Sequence, residues 1–183
     1  SRKKNKLYKE NYIIDNYSSS NLDKKFKSIN QIFDIVFIFN GYFEFSTLSF
    51  LNEKNFLNLL NVNLLIPLRI VNKLISNKLL NNNSKVFFFS SKAANYAEIG
   101  NAYYSISKNS LNFAAKILNK ENKKKKIKFI IISAGVIKSK MGKKVKQLID
   151  LDKKKSKKNL DTSINSLINF FKSVIESKKI LKL

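Results

Sequence analysis

The stretch that decides the fold is KVFFFSSKAANYAEIGNAYYSISK, residues 85–108. It begins with a short apolar run, residues 86–89, which is typical of a buried strand because it is rich in phenylalanine and bounded by polar residues. It ends in a segment whose apolar residues recur every three or four positions, which predicts a helix over about residues 103–118. A strand followed by a helix is the repeating unit of an α/β protein.

The rest of the chain repeats this alternation. Runs rich in Ile, Val and Phe predict buried strands at residues 12–14, 35–39, 86–89 and 128–132. Helical periodicity predicts helices at about residues 22–31, 53–79, 103–118 and 160–176. Continuous apolar runs indicate strands covered on both faces, so we expect an α/β fold with a mostly parallel sheet. A chain of 183 residues suits one domain, which we assign to residues 1–183.

The composition excludes several kinds of chemistry. The chain has no cysteine and no histidine, which excludes disulfides, thiolate nucleophiles, cysteine–histidine zinc sites and imidazole bases. We expect no metal site. Tyrosine, lysine, serine and carboxylates remain as groups that transfer protons.

The formal charge of +24, from 36 basic and 12 acidic residues, fits a nucleic acid or an anionic membrane as partner. Arginine, which suits bidentate phosphate contacts, occurs only at Arg2 and Arg69. The excess of Asn, Ile, Phe and Lys is what an AT-rich genome imposes on any protein. We therefore expect no specific nucleic-acid partner, with a lysine-rich nucleic-acid binder as an alternative.

The sequence predicts no membrane segment and a cytoplasmic location. Residues 55–68 are uncharged but interrupted by asparagines, and they fall short of the roughly 20 apolar residues that a spanning helix needs. The basic first residues lack the apolar core of a signal peptide.

Tyr104 and Lys108 are four residues apart, so on a helix they share one face. A phenol with a pKa near 10 is a poor proton shuttle at neutral pH, and a nearby ammonium favours the phenolate. Ser91, at the end of the preceding strand, can donate a hydrogen bond to a substrate oxygen. The spacing of Tyr104 and Lys108 alone equally fits a core tyrosine beside a solvated lysine.

In its context the pattern resembles the short-chain dehydrogenase/reductase family, in its single-domain branch. That family has a serine at a strand end, then twelve residues, then Tyr-x-x-x-Lys, as in Ser91, Tyr104 and Lys108. Three further stretches resemble the family in the same order: DIVFIFNG (34–41), NVNL (61–64) and SAGVIKSKM (133–141). The resemblance implies a Rossmann-like doubly wound parallel sheet in three α/β/α layers.

The resemblance also implies an NADP-dependent oxidoreductase, with NAD possible, that transfers a hydride between nicotinamide and a small carbonyl or alcohol substrate. Tyr104 would be the general acid or base, Ser91 would polarise the carbonyl, and Lys108 would lower the pKa of Tyr104 and bind the nicotinamide ribose. Asn63 would hold a water through its backbone carbonyl.

One argument on Asn63 comes from the sequence itself. Pro67, the only proline, follows Asn63 by four residues and has no N–H to donate to its carbonyl, which leaves that carbonyl free for water. A tolerated kink in a long helix is the other interpretation, and both can hold.

The resemblance places further residues at the cofactor. They are Arg2, Asp15, Asn40, Gly41, Tyr104, Lys108, Gly135, Val136, Ile137 and Ser139. Asp15 would contact adenine, Gly41 would allow close backbone approach, and Val136 and Ile137 would meet the nicotinamide amide. Arg2 would select the 2′-phosphate of NADP, or else belong to a disordered basic end.

The chain departs from the family pattern at three places. Ile38 and Phe39 stand at the two asparagines of the family's Asn-Asn-Ala-Gly, and Ala134 replaces a proline. The glycine-rich turn that cradles the pyrophosphate is absent. We expect an N-terminally truncated fold with its first βαβ portion missing upstream, in either a fragment of a longer chain or an inactive relative.

Alternatives to the main function are a 3-oxoacyl-carrier-protein reductase and a catalytically inactive relative that acts as a binding module. We expect a homodimer or homotetramer, because the family pairs its two long helices across a two-fold axis. Leu111, Phe113, Ile117 and Leu118 give the second of these helices more apolar surface than one sheet-facing stripe needs.

Overall fold

The protein is described by a computed structural model at residues 19–96, 99–135, 164–175 and 180–182. The helices of this part are α1 (Ser19–Lys27), α2 (Glu53–Leu60), α3 (Ile66–Ser76), α4 (Ala102–Glu121) and α5 (Ile164–Ile175). The strands are β1 (Phe33–Ile38), β2 (Leu80–Ser91), β3 (Lys128–Ala134) and β4 (Ile180–Lys182). A π-helical turn (Asn61–Leu65) joins α2 to α3, and a 3₁₀ turn (Lys92–Asn95) follows β2.

The four strands form one parallel sheet in the order β3-β2-β1-β4. Val86 of β2 lies opposite Val36 of β1 and Phe129 of β3, and this pairing continues to Ser91 opposite Ala134. All carboxyl ends therefore meet at one edge of the sheet. The predicted parallel α/β fold is confirmed, while the strand predicted at residues 12–14 lies outside the described residues.

Helices cover both faces of the sheet. On one face Val36, Val86 and Phe88 pack with apolar side chains of α1, α3 and α4, and on the other Phe37 and Phe87 pack with α5. Each fully buried Val or Phe contributes about 1.5–3 kcal/mol relative to exposure. This two-sided burial explains why the strand sequences are continuously apolar.

The long helix predicted over residues 53–79 forms as two helices with a wider turn between them. Asn52 caps α2, its side chain accepting from the N–H of Asn55 at 3.1 Å. In the π-helical turn the N–H of Ile66 donates five residues back, to Asn61. Pro67 follows at once, and because it lacks an N–H it cannot continue the α-helical bonding to Asn63. The interruption of the regular α-helix therefore lies next to the proline, where the sequence placed it.

Two strands differ from the sequence prediction. β2 begins at Leu80, six residues before the predicted start, because the polar Asn81, Asn82 and Asn83 are poor strand formers and hide the pattern. The three-residue β4 is too short to carry a periodic signal, and it pairs with β1 at Ile35–Phe37.

The continuous helical stretch Glu53–Ser76 has the length and apolar composition that a membrane-crossing helix needs. Core helices of α/β domains share both properties. Here Ile70, Val71 and Leu74 are buried in the cluster on the sheet, as in a core helix.

Candidate active site

The carboxyl ends of β1 and β2 and the first turns of α4 bring together the serine, tyrosine and lysine that the sequence singled out. Ser91 ends β2, and Tyr104 and Lys108 lie on successive turns of α4. Side chains four apart on a helix lie one above the other, so both reach the same strand ends. The predicted spatial cluster of Ser91, Tyr104 and Lys108 is present.

Lys108 is only 2% exposed. Its Nζ donates to the carbonyl oxygens of Asn40 at 3.0 Å and Phe89 at 2.8 Å, which ties the ends of β1 and β2 together. A Cβ on Gly41 would lie 3.6 Å from this Nζ, so the loop after β1 passes directly beside it. Burial lowers the pKa of Lys108 to about 8, so the side chain remains mostly an ammonium at pH 7.

The Tyr104 ring lies with its centroid 5.9 Å from the Nζ of Lys108. Burial raises the pKa of the Tyr104 phenol, and a side-chain hydrogen bond with Ser91 lowers it in part. The pKa of Tyr104 is therefore raised overall, whereas the sequence predicted that Lys108 would lower it. The reason is geometric, because the ammonium is directed to two backbone carbonyls rather than to the phenol oxygen.

Ser91 is held in place by the backbone that follows it. Its Oγ accepts a hydrogen bond from the N–H of Ala93 at 3.2 Å, which caps the 3₁₀ turn. The same side chain bonds Tyr104. On the open side, the ring of Phe43 meets the Tyr104 ring edge-on, with centroids 5.3 Å apart.

Asn63 is fully buried in the π-helical turn. Its Oδ1 accepts from the N–H of Tyr42 at 2.7 Å, and its Nδ2 donates to the carbonyl of Tyr42 at 2.9 Å and to Ser107 Oγ at 2.9 Å. The side chain is thus a clamp between the loop after β1 and α4. The water expected at its backbone carbonyl stays a prediction.

Tyr103 has a structural function that the sequence did not reveal. Its hydroxyl accepts from the N–H of Asn52 at 2.6 Å, and its ring stacks on Phe56 with centroids 4.7 Å apart. Its own N–H donates to Ser46 Oγ at 3.1 Å. Tyr103 therefore fixes the loop before α2 to the start of α4. The one available signal was the tyrosine doublet itself.

The predicted cofactor residues divide between described and undescribed parts of the chain. Asn40 and Gly41 follow β1, and Gly135 follows β3, so these three lie at the edge that carries Tyr104. Arg2, Asp15, Val136, Ile137 and Ser139 lie outside the described residues. Within residues 19–96, 99–135, 164–175 and 180–182, no group of three or more acidic side chains could hold a metal ion.

A family profile described as short chain dehydrogenase matches residues 18–150. The chain belongs to the short-chain dehydrogenase family. The match spans β1 to β3 and includes Ser91, Tyr104 and Lys108. No protein with a curated description matches the chain.

Solved structures of short-chain dehydrogenases share the fold. A family protein from Francisella tularensis matches with a TM-score of 0.66 at 17% identity, over 76% of this chain and 57% of its own. A dehydrogenase/reductase from Serratia marcescens matches with a TM-score of 0.63 at 18% identity, over 75% and 58%. The angucycline C-6 ketoreductase LanV, solved with bound NADP, matches with a TM-score of 0.62 at 16% identity, over 73% and 56%. The chain thus spans less than two thirds of these dehydrogenases.

The described strand ends fit the nicotinamide ribose of a dinucleotide. Asn40 Oδ1 is buried without a hydrogen-bond partner, and Gly41 brings the backbone beside the ammonium of Lys108. One hydroxyl of a ribose diol can donate to Asn40 Oδ1, and the other can accept from the ammonium of Lys108. Among the described residues of this chain, no glycine-rich turn provides a cradle for the pyrophosphate.

Proposed function

We propose that this protein is an NADP-dependent oxidoreductase that interconverts a carbonyl and an alcohol, with Tyr104 as the general acid or base. The observation that carries the proposal is the convergence of Ser91, at the end of β2, with Tyr104 and the buried ammonium of Lys108, whose Nζ lies 5.9 Å from the centre of the Tyr104 ring. The structures of BdcA in complex with NADPH and of LanV with bound NADP share the fold and support a nicotinamide cofactor.

The bound nicotinamide would supply or accept the hydride. In the reducing direction, Ser91 donates a hydrogen bond to the substrate carbonyl and increases the positive charge on its carbon. Tyr104, whose raised pKa keeps the phenol protonated at neutral pH, donates its proton to the developing alkoxide.

Lys108 would hold the nicotinamide ribose and stabilise the phenolate that Tyr104 becomes. Two of its three N–H donors are used by the carbonyls of Asn40 and Phe89, and the third remains for the ribose. Asn63 would hold a water at its backbone carbonyl and extend the proton path to solvent. Phe43 gives the substrate side an apolar wall against Tyr104, which favours an apolar group beside the carbonyl.

The preference for NADP rests on Arg2, whose guanidinium can bond a 2′-phosphate bidentately. We expect Arg2→Ala to weaken NADPH binding by roughly 2 kcal/mol and to leave NADH binding unchanged. Isothermal titration with both cofactors measures this. Equal weakening of the two cofactors would make Arg2 a bystander.

Self-association is supported by the outward faces of the long helices. These faces carry exposed apolar side chains, namely Leu57 of α2, Leu65 of the π-helical turn, and Phe113 and Ile117 of α4. Leu111 and Leu118, which the sequence also suggested for this surface, pack instead into the core on the sheet. We propose a homodimer or homotetramer through the exposed set, to be measured by sedimentation at several concentrations.

The test of the activity is NADPH oxidation with a panel of aldehydes and ketones. We expect turnover in the wild type, and a loss of about 10²–10⁴-fold in Tyr104→Phe because the transferable proton is removed. Tyr103→Phe is the matched control, since it removes the neighbouring hydroxyl and is expected to affect folding stability rather than chemistry. Equal activity in Tyr104→Phe and the wild type would overturn the proposal.

An inactive binding module is the second candidate. Ile38 and Phe39 replace the polar pair of the family pattern at the end of β1, and Phe39 packs its ring on Phe89 with centroids 4.9 Å apart. Under this alternative, NADPH binds in titration and no member of the carbonyl panel is reduced.

A further inference from the structure

Ser107 lies between the two residues of the Tyr104–Lys108 pair and is fully buried. Its Oγ accepts from Asn63 Nδ2 at 2.9 Å and donates to the backbone carbonyl of Tyr104 at 2.8 Å. The hydroxyl therefore both donates and accepts, and each of its partners is a fixed part of the site.

These bonds connect α4 to the loop after β1. The Asn63 amide is anchored on both backbone groups of Tyr42, and Ser107 brings that anchor to the helix that carries Tyr104. At about 100° per residue, Ser107 lies about 60° around the helix from Tyr104 and about 100° from Lys108. Ser107 therefore bonds Asn63 of the π-helical turn while Lys108 bonds the strand ends. Fixing Ser107 therefore fixes the rotation of α4 about its own axis.

That rotation determines the geometry of the site. Two interactions join side chains of α4 to the strand ends: Tyr104 with Ser91 at the end of β2, and Lys108 Nζ with the carbonyls of Asn40 and Phe89. In a well-packed site, a displacement of about 1 Å is enough to lose such alignment.

We propose that Ser107 is a positioning residue, which holds Tyr104 in alignment with Ser91 through the Asn63 clamp. This inference rests on the proposed function of Tyr104. Among the residues that the structure describes, Ser107 bonds only Asn63 and the backbone carbonyl of Tyr104, so it acts through other residues.

The proposal predicts a change in the acidity of Tyr104. Among the described residues, the groups seen against its ring are Lys108 on the same helix, Ser91 from β2 and Phe43 from the loop. The Ser91 hydrogen bond lowers the pKa of Tyr104, so weakening it raises the pKa further.

The first experiment titrates the full chain labelled with ¹³Cζ-tyrosine by NMR, with the Tyr104 signal assigned from Tyr104→Phe. We expect Ser107→Ala to raise the pKa of Tyr104 by about half a unit or more, and Ser107→Thr, which keeps the hydroxyl, to restore the wild-type value. An unchanged pKa in Ser107→Ala would overturn the proposal. If that variant does not fold, Ser107→Cys is titrated instead. Its thiol is of nearly the same size but a weaker donor, so we again expect the pKa of Tyr104 to rise.

Asn119→Ala is the control for a purely structural effect. It removes a comparable amide clamp at the other end of α4, and we expect it to lower the melting temperature without moving the pKa of Tyr104. A shift as large as that of Ser107→Ala would show that any loosening of α4 suffices, and would also overturn the proposal.

The second experiment measures kcat/KM for carbonyl reduction across pH. We expect the pH profile of Ser107→Ala to move upward with the NMR pKa and kcat to fall more than KM rises. Absence of activity in the wild type would contradict the proposed function alone, because the NMR titration requires no turnover.

Discussion

Two asparagine side chains hold α4 at its two ends by the same chemistry. Asn63 pairs its amide with the N–H and carbonyl of Tyr42 near the start of the helix. Asn119 pairs its amide with the N–H and carbonyl of Phe129, at 2.9 and 2.8 Å, near its end. Asn63 is fully buried beside the proposed catalytic residues, whereas Asn119 is exposed beside the lysine-rich turn of residues 123–126.

The difference between the clamps lies in burial and in the third partner. Asn63 Nδ2 also donates to Ser107, whereas Asn119 Nδ2 also donates to the carbonyl of Ala115 on its own helix. The first clamp therefore connects two elements of the site, and the second closes the helix end onto β3. The sequence does not show which of these two functions an asparagine has, because that depends on its neighbours in space.

The largest contrast between the two ends of α4 is expected for its lysines. Lys108→Met should reduce turnover by about 10²-fold or more, because it removes the ammonium beside the Tyr104 phenol. Lys116→Met, two turns further along the helix and exposed, should leave turnover unchanged. Steady-state kinetics at pH 7 measures both, and equal losses would show that the effect is general to the helix.

The two clamps should also differ in their contribution to folding. Asn63→Ala leaves both backbone groups of Tyr42 and the hydroxyl of Ser107 without the partner they have now, so we expect the free energy of unfolding to fall by about 2–4 kcal/mol. For Asn119→Ala, whose partners can bond water instead, we expect about 1 kcal/mol or less. Urea unfolding distinguishes the two values, and similar losses would remove the contrast drawn from burial.

Much of the interior could be predicted from the sequence, because apolar runs and helical periodicity report burial directly. The convergence of Ser91, Tyr104 and Lys108 was expected from the resemblance of their pattern to the short-chain dehydrogenase/reductase family. The Asn63 clamp could not be predicted, since it joins residues 21 and 44 positions apart through polar contacts that leave no periodic pattern. The same holds for Ser107, which lies inside the quoted motif but has its function through Asn63.

Composition alone does not separate Lys108 from the other lysines, and although the Tyr-x-x-x-Lys spacing singles it out, that spacing equally fits a solvated side chain. One lysine among many is buried against two backbone carbonyls at the catalytic end, while Lys123–Lys126 at the other end are all exposed. Composition weights these residues equally. The burial of Lys108 against the two strand ends is a property of the folded sheet, and the spacing did not predict it.

A smaller effect concerns stability and pH. Burial lowers the pKa of Lys108 from 10.5 to about 8, so between these values the unfolded chain binds a proton that the folded chain does not. Stability therefore rises with pH in this window, by at most about 1.4 kcal/mol per unit. Between pH 8 and 9.5 we expect the unfolding free energy of the wild type to rise by about 1–2 kcal/mol relative to that of Lys108→Met. If the difference between the two proteins stayed constant over this range, the shifted pKa of Lys108 would be contradicted.

The smallest effect is expected at the basic end. Lys123→Ser combined with Lys124→Ser should change the unfolding free energy by no more than about 0.5 kcal/mol and leave turnover unchanged, because both side chains are exposed. A large loss of activity in this double variant would show that the lysine-rich turn contributes to activity, although it lies at the opposite end of α4 from Tyr104.

The three-residue β4 has a consequence for how the protein behaves in concentrated solution. β1, FDIVFI, is buried at five of its six residues, and within the described part of the chain its outer side is paired only with β4, at Ile35–Phe37. An apolar strand with unpaired N–H and carbonyl groups is a template for joining sheets edge to edge. The pairing with β4 covers part of this edge, and we expect release of Ile180–Lys182 to free β1 to pair with the same strand of another copy.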